Sequence, residues 1–184
     1  RALMKKTVMT KSALTTRRLT VCGILAAVGV VCMLIGAVTE VLDLTMLVLA
    51  SLCVVFTVIE IGIKWAWLVW AVTSLLCFLL LPSKAVALLY FLGGMYPIAK
   101  AGFEKRQPIV SWILKFALFN VLLCFFLLTA QKVLGLSGMG YEFAVLEFAV
   151  GNGAFLLYDL CLTSCITLYL VRLRRRLKVK SLRD

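Results

Sequence analysis

The sequence predicts an all-α membrane protein, a bundle of six transmembrane helices with both termini on the cytoplasmic side. Three observations carry that expectation. Apolar residues make up 64% of the 184 residues and charged ones 15%, with a mean hydropathy of +1.09, whereas a water-soluble domain of this size needs a far more polar surface. The apolar residues fall into six runs of about 20 residues, the length a helix needs to cross a hydrocarbon core ~30 Å thick. The basic residues behind the net charge of +12 gather at the two ends of the chain and in alternate loops, the pattern that sets membrane orientation.

The first run covers about Leu19 to Val38 and follows Lys5, Lys6, Lys11, Arg17 and Arg18. It is too long for a signal-peptide core and has no small-residue cleavage pattern behind it, so it is expected to be a retained span. The second covers about Leu44 to Ile63 and the third about Trp65 to Leu81. The fourth runs from about Ala85 to Phe103 and is expected to be broken by Gly93, Gly94 and Pro97. The fifth covers about Ile109 to Gln131. The sixth, about Tyr141 to Val171, exceeds what a bilayer requires and should tilt or protrude. Helices rather than barrel strands follow from run length and from the absence of water to satisfy a free backbone. The chain thus divides into a basic segment at 1–18, a six-helix domain at 19–171 and a basic tail at 172–184.

With the N-terminus inside, the cytoplasmic face collects both tails plus Lys64, Lys100, Lys105 and Arg106, and the outer face keeps Lys84 and Lys132 beside the acids Glu40, Asp43 and Glu142. The expected location is a cell membrane, crossed several times. Loops are short, except that Gly135, Ser137, Gly138 and Gly140 mark an outer link expected to be the most mobile, serving equally well as a lid or as a plain connector. The basic tails fit attraction to anionic membrane lipid better than binding of nucleic acid. No internal repeat is visible, which disfavours a transporter built from two similar halves.

Several chemistries are disfavoured by residue type. The chain has no histidine, and none of its seven cysteines forms a C-x-x-C pair, so a metal site, haem or a histidine-activated nucleophile is not expected. Asp159 is the one aspartate inside a span, so a two-aspartate protease lacks its second carboxylate. No phosphate-binding loop or nucleophile elbow appears. The expectation is a protein that is not an enzyme and uses no cofactor.

The polar residues inside the spans are the candidates for function, because charge within a bilayer costs at least a few kcal/mol and usually marks a pathway, a site or a helix partner. The sixth span carries Glu142, Glu147, Asn152, Tyr158 and Asp159. Asn152 and Asp159, seven residues apart, share one face. Both ligand binding and hydrogen bonding between helices fit Glu147 and Asn152, while Asp159 fits helix pairing better. Its expected partner is Lys115, about two turns into the fifth helix and roughly 10 Å deep, although a lysine there also fits snorkelling to the interface. Glu60 and Lys64 read as an ordinary interfacial i,i+4 pair. On the first helix Gly23, Ala26 and Ala27 give a smooth face against which another helix can pack.

The run Arg17-Arg18-Leu19-Thr20-Val21-Cys22-Gly23-Ile24-Leu25-Ala26-Ala27, six spans in a short chain and the ending Phe155-Leu156-Leu157-Tyr158-Asp159 before a basic tail resemble the membrane-embedded substrate-binding (S) components of energy-coupling factor transporters. The resemblance implies capture of a small organic, vitamin-like nutrient from outside. It further implies docking through small residues of the first helix on a transmembrane coupling subunit driven by ATPase subunits. Gly23 and Ala27 occupy the docking positions, Gly23 standing where the family more often has alanine, with Ala26 beside them. By position in the outer half, the resemblance points to Glu40, Asp43, Tyr90, Asn120, Glu142, Glu147 and Asn152 as substrate-binding residues. A substrate with cationic or hydrogen-bond-donating groups would suit these acids. The alternative is a non-catalytic scaffold subunit of a cell-envelope assembly, in which the polar residues only hold helices together.

Overall fold

A computed structural model describes residues 2–39, 42–104, 108–134 and 141–173. Six helices follow one another: α1 (Ala2–Thr39), α2 (Asp43–Glu60), α3 (Ile63–Leu80), α4 (Lys84–Phe103), α5 (Pro108–Leu134) and α6 (Tyr141–Leu168), the last continuing into a π-helical turn at Tyr169–Leu173. All six contain a stretch long and apolar enough to cross a membrane. The all-α expectation holds, and the helix of the first span runs back without interruption through the basic segment. The glycine-rich link at 135–140 lies outside the described residues.

Helices α1 to α4 form a tight group. Near the basic end of the bundle, Cys22 and Ala26 of α1 pack with Val54 of α2, Ile61 of the α2–α3 turn, Ala66 and Val69 of α3 and Ile98 of α4. Toward the opposite end Met33 and Ala37 meet Leu47, Ala50, Cys77, Ala87 and Tyr90. Small residues recur at these seams because lipid gives no hydrophobic drive for helices to associate, leaving close van der Waals approach as the main attraction. At Gly36 a Cβ atom would lie 3.0 Å from Cβ of Met46, so α1 and α2 meet there at glycine distance.

The turn from α2 to α3 uses only Ile61 and Gly62. Gly62 has φ 128° and ψ 164°, a region open essentially to glycine alone, and it is the one positive-φ glycine among the described residues. The sharp turn also corrects the reading of Glu60 and Lys64 as neighbours on one helix. Glu60 closes α2, is buried and accepts a 3.0 Å hydrogen bond from the Tyr169 hydroxyl, while Lys64 is exposed on α3. At the other end of α3, Lys84 donates to the carbonyls of Phe78 (2.8 Å) and Leu81 (3.2 Å), closing carbonyls that the helix leaves open.

The expected break in the fourth span is absent, since α4 continues through Gly93, Gly94 and Pro97. Helix α5 lies against α4, and α6 against α2 and α5, yet few residues of either are buried. They touch each other through Phe119 stacked on Phe155, ring centroids 4.1 Å apart, and α6 reaches the others through a small cluster of Val55, Tyr96, Phe155 and Leu162.

Replacing Gly62 by alanine forces a side chain into glycine-only backbone space. The expected loss is about 1–3 kcal/mol, read as a lower unfolding temperature in detergent, with Gly102→Ala, where a Cβ meets nothing within 4 Å, as the control that should not shift it.

Candidate functional site

Two features join α6 to the rest of the bundle, one ionic and one apolar. The ionic one begins with the spacing of α4. Tyr96, Lys100 and Glu104 recur every fourth residue and so share one helix face, which is turned toward α6. Asp159 there is 3% exposed and Lys100 2%. Lys100 donates to the Asp159 carboxylate and to Oγ1 of Thr163 at 2.6 Å. The Tyr96 hydroxyl donates to Oδ1 of Asp159 at 2.6 Å. From α5, Lys115 places its Nζ 3.7 Å from Oδ2 of Asp159 and donates to Oε1 of Glu104 at 3.0 Å, and its ammonium sits 5.6 Å from the centre of the Trp112 ring.

Asp159 is therefore shared between lysines on two helices, and Glu104 closes the ring, lying 3.7 Å from Lys100. A buried charge left single costs several kcal/mol, more still where no water is at hand, but a closed and hydrogen-bonded set largely cancels that cost. Lys115 meets Asp159, the pairing expected from the sequence. Charge placement in the sequence puts Lys100 at the cytoplasmic rim; it lies instead inside the bundle. Tyr96, Glu104 and Thr163 join the cluster without any sequence signal that singles them out.

A second polar tie sits one turn further along. Proline has no N–H, so Pro97 leaves the Gly93 carbonyl without its usual helical donor. In hydrocarbon a freed carbonyl must find another partner. The Tyr158 hydroxyl of α6 donates to it at 2.9 Å, and the same oxygen lies 2.7 Å from Oγ of Ser51 on α2. With the Tyr158 proton committed to Gly93, Ser51 is the donor in that second bond. A continuous α4 and an anchored α6 thus share one cause.

Apart from these ties α4 and α6 stand clear of each other. Among the described residues no Cα atoms of α4 and α6 come within 8 Å of each other. The resulting cleft of about 790 Å³ is walled by α2, α4, α5 and α6 and spreads toward the end of the bundle opposite the basic one. Its lining is almost wholly aliphatic and aromatic, with Tyr96 contributed by α4 and Tyr158 by α6.

Four of the residues expected to bind substrate fall elsewhere. Tyr90 is fully buried within the α1–α4 core. The amides of Asn120 and Asn152 donate back to their own helices, to the carbonyls of Phe116 and Phe148, each at 2.9 Å. Asp43 opens α2 and lies against Gly36 of α1. None of these four is among the cleft-lining residues. Glu40, together with the side chains of Glu142 and Glu147, lies outside the described residues. On α1, Gly23 and Ala27 face outward and a Cβ at Gly23 meets nothing within 4 Å, whereas Ala26 points into the core. A partner lying on the outer face of α1 meets Gly23 and Ala27 but not Ala26.

Fold and site together define a polytopic membrane protein with a six-helix bundle, a buried ionic cluster and an apolar cleft. No protein-family model matches the chain, and no curated protein or solved structure is significantly similar to it.

Tyr158→Phe leaves the Gly93 carbonyl without a donor and is expected to cost about 1–2 kcal/mol. Adding Pro97→Ala restores the helical N–H, so the double variant should unfold in detergent at a higher temperature than Tyr158→Phe alone. A similar decrement with and without proline would show that the hydroxyl acts elsewhere. Asp159→Leu should be far more damaging, about 3–5 kcal/mol, because it strands Lys100; combining it with Lys100→Met should recover most of the loss, measured by the same thermal assay.

Proposed function

We propose that the chain is the membrane-embedded binding subunit of an ATP-driven importer, capturing a small organic molecule in the cleft between α2, α4, α5 and α6. The observation that carries the reading is the cleft itself. Its volume of about 790 Å³ falls within the range typical of small-molecule sites. It opens in the half of the bundle away from the basic residues, and with both termini inside by the positive-inside rule that half faces outward. The chain contains no nucleotide-binding motif of its own, so transport would draw on a separate coupling subunit and its ATPases. Docking is assigned to the outward-facing Gly23 and Ala27 of α1, in line with the resemblance to the S components of energy-coupling factor transporters.

The scaffold reading keeps one observation in its favour. Asn120 and Asn152 bond within their own helices, as residues without a ligand would.

Purification of the tagged protein from its native membrane in mild detergent separates the two. Under the importer reading, a membrane subunit and two nucleotide-binding ATPases accompany the wild type, and Gly23→Leu or Ala27→Leu releases them while the protein itself still elutes as one folded species. A wild type that purifies without any ATPase removes the importer reading, and a complex indifferent to both substitutions removes the docking face.

A further inference from the structure

We propose that the occupant of the cleft is a hydrocarbon chain, held lengthwise between the α2–α4 wall and the α5–α6 wall. The inference rests on reading the cleft as the binding site, and it names what chemistry that site accepts.

The first argument is the supply of polar atoms. Among the described residues no charged side chain lines the cleft, and the polar side chains there are Thr45, Tyr96, Tyr158 and Cys161. Both tyrosine hydroxyls have committed their protons, Tyr96 to Asp159 and Tyr158 to the Gly93 carbonyl. Thr45 belongs to the first turn of α2, at the very end of the cleft. Along most of its length the cleft therefore offers no donor to a carboxylate, a sugar or an amide. Moving such a group out of water without a compensating hydrogen bond costs about 2–7 kcal/mol. A chain of methylene groups has nothing to leave unpaired.

The second argument is shape. On α6 the lining extends from Leu146 to Cys161, a rise of roughly 22 Å at 1.5 Å per residue. A cleft this long for its volume suits a thin, extended molecule better than a compact polar vitamin. The third is the aromatic cluster in the inner half, where Phe155 is stacked on Phe119 and edge-on to Tyr96 with centroids 5.2 Å apart. One turn further along α6 stands the ionic cluster of Asp159, Lys100 and Lys115. An amphiphile can thus enter tail first, leaving its head at the end marked by Leu44 and Thr45, next to Asp43.

Such a chain comes from a bilayer lipid or from a free amphiphile, and photolabelling distinguishes them. The full-length protein in vesicles is exposed to palmitic acid carrying a diazirine, or to phosphatidylcholine carrying the same group on its acyl chain, and labelled peptides are mapped. Saturable labelling of the walls around Leu123 and Ala154, competed by unlabelled palmitate, supports the proposal with a free amphiphile as occupant. Saturable labelling at those positions by the phospholipid alone supports it with a resident lipid. Labelling that never saturates and falls equally on Leu75 and Leu79, on the outward face of α3, overturns it. Ala154→Phe, which fills the cleft, should reduce the saturable labelling about tenfold, whereas Leu79→Phe should leave it unchanged. If Ala154→Phe does not fold, competition on the wild type decides alone. Loss of saturable labelling with the ATPases still bound would reject the hydrocarbon and spare the importer; saturable labelling without ATPases would do the reverse.

Discussion

The ionic cluster around Asp159 governs how the bundle is assembled. A carboxylate in a span has no water to turn to, so it must recruit its partners from other helices. Lys100 answers from α4 and Lys115 from α5, with Glu104 completing the set at the rim. Three helices whose backbones need not touch are thereby fixed to one another. That is why α4 and α6 can remain apart along the cleft and still belong to one structure.

Pro97 applies the same constraint to the backbone. By withholding one N–H it creates an acceptor at Gly93 that only another helix can satisfy, and Tyr158 supplies the donor together with Ser51. Tyr158 and Asp159 are adjacent in sequence, one tied to a carbonyl and the other to ammonium groups. Between them, α6 is held by directional bonds to the first four helices and by little apolar packing. The apolar surface that packing would otherwise have covered is the lining of the cleft.

The six spans were legible because run length and charge placement are one-dimensional quantities. Lys115 and Asp159 stood out for a similar reason, as isolated charges deep in apolar runs. Lys100 did not, because it lies near the end of a span beside Lys105 and Arg106, and hydropathy cannot say that its face of α4 is turned inward. The amides misled in the opposite direction. Asn120 and Asn152 seemed in need of a ligand or a neighbouring helix, yet a short polar side chain can bond the carbonyl one turn back, a solution that sequence does not distinguish. Pro97 looks like a break in sequence, because the hydroxyl 61 positions later that repairs it is a matter of tertiary structure.

The charges of the cluster also balance, two ammonium groups against the buried carboxylate of Asp159 and the exposed one of Glu104. A membrane potential acts on net charge, with about 2.3 kcal/mol for each elementary charge carried through 100 mV. Provided the four groups move together, that force sums to zero. Any rocking of α6 that keeps the set intact is therefore electrically silent, and its rate should be the same in energised and de-energised membranes.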